Sequence, residues 1–180
     1  AVKEMYEANR LSIRVGLSIT ALASGLWWPF NIAIAFQMRR IEGKNPILSV
    51  LQAISSTGNV MIIMFAAYFC LVAAFRADLD PSTIRAFHDI GWLMMIGCYC
   101  PALIGALAVG ICIIRGNRPD VYPRWLGYFN VWMAFAIIPG ALLPFFYPGP
   151  FAWNGLIGFW FEANVFFAWI LIMWWFTVCA

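Results

Sequence analysis

Charge is scarce in this chain. Acidic and basic residues make up 11% of its 180 positions, where a soluble domain carries about a quarter. There is one histidine, His88, and there are two lysines, Lys3 and Lys44. These shortages exclude a good deal of chemistry. A haem held by two histidines lacks its second ligand, and a histidine-rich metal cluster has no members. A serine–lysine dyad has no lysine within reach of the apolar stretches. No GxSxG elbow, phosphate-binding glycine loop or HExxH zinc pair is present. The sequence makes no case for catalysis, although a membrane enzyme acting on lipid-like substrates could build its site from scattered residues.

What fills the chain instead is apolar: 64% of residues are hydrophobic and 18% aromatic, with a mean hydropathy of +0.83. Five long runs, about 15–38, 47–75, 86–114, 125–147 and 152–180, carry almost no charge. A bilayer core about 30 Å thick takes roughly 20 apolar residues to cross as a helix. The runs are continuous rather than alternating, which is the pattern of helices and not of a closed β-barrel. The expected architecture is an all-α, polytopic membrane bundle, one transmembrane domain over 1–180. The connecting loops leave no room for a water-soluble domain. Residues 1–14 mix both charges and do not read as a signal peptide. The chain opens on Ala1 and ends within an apolar run at Ala180, so a sixth helix upstream is an expectation.

The basic residues cluster at run ends. Arg39, Arg40 and Lys44 follow run 1, and Arg115, Arg118 and Arg124 follow run 3; the loop after run 2 has only Arg76 and Arg85, offset by acids. By the positive-inside rule, loops 39–46 and 115–124 face the cytoplasm of a bacterial inner membrane. Lys3, Arg10 and Arg14 then fall on the outer side, which an upstream helix would make an outer loop. The net charge of +3 follows from these anchors and is no nucleic-acid signal. Trp92, Trp125, Tyr128, Tyr147 and Trp153 stand where interfacial aromatic belts are expected.

Local chemistry sets the boundaries. Asp80 can cap the third run with Pro81 in its first turn, and Pro148-Gly149-Pro150 forces a reversal before the fifth. Pro29, Pro101 and Pro139 lie inside runs, with Pro144 near an end; each frees a carbonyl and can kink its helix. Small-residue stripes, Gly16/Thr20/Ser24 in run 1 and Gly97/Pro101/Gly105 with Ala102/Ala106/Gly110 in run 3, predict the packed centre. Run 5, loaded with Phe and Trp, should turn its bulky face to lipid, a hydrophobic ligand or a partner. Cys70, Cys98, Cys100, Cys112 and Cys179 all lie in runs and are read as small buried apolar side chains.

Glu162 is the one acid well inside a run. An ionised carboxylate at a helix centre costs about 2.5 to 3.5 kcal/mol on insertion scales. It is therefore read in three ways: a neutral carboxyl bonded to another helix, a proton, cation or ligand site, or a lipid-facing group. Candidate companions are Asn59, Asn130 and Asn164, with Gln52, Ser55, Ser56, Thr57 and Asn31. A polar seam of Asn59, Asn130 and Glu162 is the expected functional interior, though such amides also serve as simple adhesive between helices. His88 could ligate a chlorophyll-type pigment alone, but its place at the edge of run 3 favours an interfacial pair with Asp89. Arg76, Asp78, Asp80 and Arg85 read as a solvated ion-pair set.

Three segments carry a resemblance: Gln37-Met38-Arg39-Arg40-Ile41-Glu42-Gly43, Pro123-Arg124-Trp125-Leu126-Gly127-Tyr128-Phe129-Asn130 and Gly149-Pro150-Phe151-Ala152-Trp153-Asn154-Gly155. Together they make the whole chain similar to a family of small bacterial multi-pass membrane proteins of unassigned function. The resemblance implies an upstream helix and brings no catalytic residues. The first functional expectation is a non-catalytic membrane subunit, packed with other subunits and membrane lipids and contacting lipid, quinone or pigment. The alternative is a carrier for a small hydrophobic or protonatable solute, with Glu162 as the coupling group.

Overall fold

The structure, a computed structural model, describes residues 2–146 and 148–179; Ala1, the belt candidate Tyr147 and the terminal Ala180 lie outside them. Every regular element among the described residues is helical. A short α1 (Val2–Ala8) leads into α2 (Arg10–Gly25) and α3 (Trp27–Glu42), which together make one span. Next come α4 (Ile47–Phe75), then α5 (Pro81–Gly97) with α6 (Cys100–Gly116), then α7 (Arg124–Ala136) with a 3₁₀ segment (Ile138–Phe145). A π-helical turn (Leu156–Phe161) runs into α8 (Glu162–Cys179). This gives five helical spans long and apolar enough to cross a membrane: Arg10–Glu42, Ile47–Phe75, Pro81–Gly116, Arg124–Phe145 and Leu156–Cys179.

The span ends follow from their residues. Asp80 caps α5 as expected, accepting from the Ser82 backbone N–H at 2.9 Å, with Pro81 in the first turn. Asn117, in the left-handed region at φ 45°, stops α6. The fifth span starts at Leu156 rather than 152, because Gly149, at φ 103°, and two turn hydrogen bonds occupy the intervening residues. The N-terminus of α4 is closed from the preceding span. Glu42 accepts from the backbone N–H of Leu48 (2.8 Å) and of Ser49 (2.7 Å), and from the Ser49 hydroxyl.

The centre of the bundle is α4, which packs against α2, α3, α5 and α6 and buries Val60, Ala66, Ala67, Ala73 and Ala74. Run 1 was expected to share that centre with run 3, and both stripes do so in part: Ser24 of run 1 is buried, and a Cβ on Gly97 of run 3 would meet nothing within 4 Å. Gly16 is exposed and a side chain there would meet nothing within 4 Å. The Thr20 hydroxyl donates back to Gly16 O at 3.0 Å. In run 3, Gly105 lies against Ser55 and Ser56, and Gly110 meets Gly127 of α7 so closely that a Cβ on either would come within 2.9 to 3.1 Å of the other's carbonyl oxygen.

Loops 1 and 3 share one end. Gly116 lies against Ile41, and the Arg40 charge helps lower the pKa of Asp120. The Arg118 guanidinium, bonded to Asp120 at 2.9 and 3.0 Å, is the main reason that carboxyl sits below its usual range. Thr177, near the end of α8, joins this end by a 2.8 Å hydrogen bond with the Tyr122 hydroxyl. Burial pushes the Tyr122 phenol up to about 12. At the opposite end α1 lies on α5, and Tyr6 shares a 3.2 Å hydrogen bond with His88 Nδ1.

Candidate intramembrane binding site

Four of the five spans are discontinuous. The first breaks at Leu26, between α2 and α3; the third at Cys98 and Tyr99, between α5 and α6; the fourth at Ile137, where α-helix gives way to 3₁₀; the fifth where the π turn meets α8 at Glu162. Pro29, Pro101 and Pro139 each sit in the first turn after a break. A proline there removes a backbone donor and cannot continue the preceding helix, so each of these three breaks has a local cause. Only α4, with no internal proline, runs through.

The breaks converge. Leu26, Cys98, Tyr99, Ile137, Gly158 and Glu162 all line one cleft of about 710 Å³, whose rim residues Leu26, Phe167 and Trp174 are more than half exposed, so that it opens on the outer surface of the bundle. Interrupted backbone within a membrane is tolerated where it lines such a space. Most of the remaining wall is aliphatic or aromatic, including Trp27, Phe166 and Trp174, and α4 contributes Asn59 and Ile63. The size and the sparse polar lining are those of a small-molecule site.

Glu162 is the one acidic group in that wall. Its Oε1 is buried without a hydrogen-bond partner among the described residues. The amide of Gly140 approaches the carboxylate, and a Cβ on Gly140 would lie 2.9 Å from both Glu162 Oε2 and the main-chain oxygen of Ile96. A second, small pocket of about 30 Å³, large enough for water, adjoins the first through Trp27, Asn59, Ala102 and Phe166. Gln52, Ser56 and Asn31 line it. Gln52 donates to Ser56 Oγ at 2.9 Å, and its own Oε1 is buried without a partner.

The chain matches no protein-family model, no curated protein and no solved structure.

The expected seam is thus divided. Asn59 and Glu162 line the same cavity, whereas Asn130 does not. Asn130 is fully buried, with Nδ2 donating to Leu126 O at 2.8 Å and Oδ1 accepting from Trp169 Nε1 at 2.8 Å. It is adhesive between α7 and α8. Asn164 is exposed and bonds its own helix at Trp160 O. His88 is not at an open edge. It is 3% exposed, with Tyr6, Trp92 and Trp153 rings set around its imidazole at centroid distances of 5.1 to 6.1 Å. Its bonded partner is Tyr6, not Asp89, because α1 folds back onto α5.

The cysteine expectation holds for Cys70 and Cys112 and fails for Cys98, Cys100 and Cys179, which are exposed. Among the described residues, no ion pair joins Arg76, Asp78, Asp80 and Arg85, since Asp80 is engaged as a cap. Sequence reasoning missed Gly140, which packs against the Glu162 carboxylate, and Ile96, which lines the cavity. Their only signal was the Pro139-Gly140 pair in a run.

Proposed function

We propose that this multi-pass chain binds an amphipathic or largely apolar small molecule within the bundle and carries it, with Glu162 as the polar anchor. The observation that supports this reading is the meeting of four helix breaks on one large cavity that holds a single carboxylate. Helix interruptions at a common depth are how membrane carriers build sites that open and close. We place the chain in a bacterial inner membrane, with the arginine-bearing loops 39–46 and 115–124 inside, as the basic-residue bias and the resemblance suggest.

The test is extraction. Purified in mild detergent, the wild-type chain should release a defined amphiphile, near one per chain, on solvent extraction and mass analysis. Ala163, on the cavity wall, is the place to block it. If Ala163→Phe retains the same molecule in the same amount, the cavity is not the binding site. For transport, Glu162→Gln should abolish exchange of that molecule between loaded vesicles and medium.

A second reading, a subunit of a larger assembly, draws on the outward aromatic face of the fifth span. Trp160 and Trp175, which lie outside the cavity lining, are each more than half exposed. Native mass measurement decides it: a monomer carrying only small molecules supports the carrier, a stable hetero-assembly the subunit.

A further inference from the structure

We propose that the small pocket beside the cleft is a hydroxyl-binding subsite, in which Gln52, Asn31 and Asn59 hold the alcohol group of an amphiphile whose chain lies in the cleft. It rests on the binding reading above and adds a second polar contact to that of Glu162. The first observation is an acceptor with nothing to accept. Gln52 is 1% exposed and lines the pocket, and its Nε2 is engaged by Ser56 Oγ at 2.9 Å. Its Oε1 is buried without a partner among the described residues. A buried carbonyl in that state is costly until a donor reaches it.

The second observation is room. The pocket measures about 30 Å³, and about 10–15 Å³ holds one water. A hydroxyl together with the carbon that bears it therefore fits. The third is the character of the wall. No charged side chain among the described residues lines the pocket, so a charged head there would go uncompensated. The Trp169 indole also lines it, but its N–H is taken by Asn130. The Asn31 and Asn59 amides remain, and no hydrogen bond of either side chain is found among the described residues. They can donate, whereas Gln52 Oε1 only accepts. The uncharged group that donates to the one and accepts from the others is a hydroxyl.

The fourth observation is the route. Trp27, Asn59, Ala102 and Phe166 line both spaces. On α4, Asn59, Ser56 and Gln52 are spaced three and four residues apart, so they share a face. This polar stripe leads about 10 Å from the cleft toward the end of α4 that Glu42 caps. The cleft opens on the outer surface of the bundle, so a molecule dissolved in the bilayer enters sideways and turns its head into the stripe.

1-Decanol and its methyl ether separate these contacts. They share a chain and an oxygen, but only the alcohol donates. Each is titrated into the chain in mild detergent with its free concentration measured, and calorimetry and the unfolding midpoint are the readouts. Binding in the cleft is the saturable part that Ala163→Phe removes. Within that part the alcohol should bind the wild type about tenfold more tightly than the ether, the scale of supplying a donor to a buried acceptor. Gln52→Met keeps the bulk and removes the acceptor, so the two probes should then bind alike. An ether that binds the wild type as tightly as the alcohol overturns the subsite, leaving the pocket to water and the cleft intact; this comparison needs no variant at Gln52. An alcohol preference that survives in folded Gln52→Met overturns it as well. No saturable binding of either probe, with Ala163→Phe indistinguishable from wild type, overturns the binding reading and the subsite with it.

Discussion

Asn130 and Asn164 show how much the surroundings of one amide decide. The first is sealed between α7 and α8 with both ends of its side chain bonded; the second projects outward and touches only its own helix. Interhelical hydrogen bonds in membranes average about 0.6 kcal/mol and reach about 1.7. Asn130→Leu also strands the Trp169 indole N–H, so a loss of about 1–2 kcal/mol is expected. Asn164→Leu should stay within about 0.5 kcal/mol of wild type. Reversible unfolding in detergent measures both, and a double-mutant cycle with Trp169→Phe should return a coupling of about 0.5–1.5 kcal/mol for Asn130 alone. Glu42 belongs to the same scale. It serves the first turn of α4 where the helix dipole favours an anion, and Glu42→Ala should cost about 1–2 kcal/mol by the same measurement. Asp80 caps more openly. The Ser82 hydroxyl first, and then the Ser82 backbone N–H, hold its carboxyl below the usual range. Its folded pKa is depressed, so its support for α5 is present above the ordinary carboxylate pKa and fades as pH falls through the lowered one.

At the scale of elements, the five spans were legible because length and apolarity are local properties. The breaks were half legible. Pro29, Pro101 and Pro139 announce themselves, but that three of them open half-helices at the wall of one cavity depends on how the spans stand beside each other. The π turn before Glu162 has no proline to mark it. Small-residue stripes were read with mixed success for a related reason: spacing shows that a face could admit a neighbour, not that one is present. Gly110 and Gly16 test this directly. Gly110→Ala places a methyl against Gly127 O and Val131, about 2.8 to 2.9 Å away, and must part α6 from α7. It should cost about 1–3 kcal/mol. Gly16→Ala meets open space in mid-helix and should be neutral or stabilising by up to about 1 kcal/mol. A thermal scan in which the two shift alike would refute the assignment of α6–α7 as the tight pair.

For the whole molecule, apolar side chains cover the outside as well as the inside. Leu22 is 78% exposed and Leu26 75%, both near the middle of the first span, while the charged residues gather at its ends. A surface like that is stable against acyl chains and not against water. Which ends face together is settled by packing: Gly116 against Ile41 and Thr177 against Tyr122 at one end, α1 against α5 at the other. The two orientations of such a body in a bilayer differ in where the arginines fall. Segments 39–46 and 115–124 carry six basic residues and segment 76–85 two, and short basic loops resist crossing to the outer side. Lys44, Asp120 and Asp78 are exposed loop positions suited to reporting this. With each replaced in turn by cysteine and intact cells treated with an impermeant maleimide, Asp78→Cys should label while Lys44→Cys and Asp120→Cys stay protected until the membrane is opened. Labelling of Lys44→Cys and Asp120→Cys from opposite sides would contradict the packing itself. Labelling of both from outside would leave the packing standing and reverse the orientation.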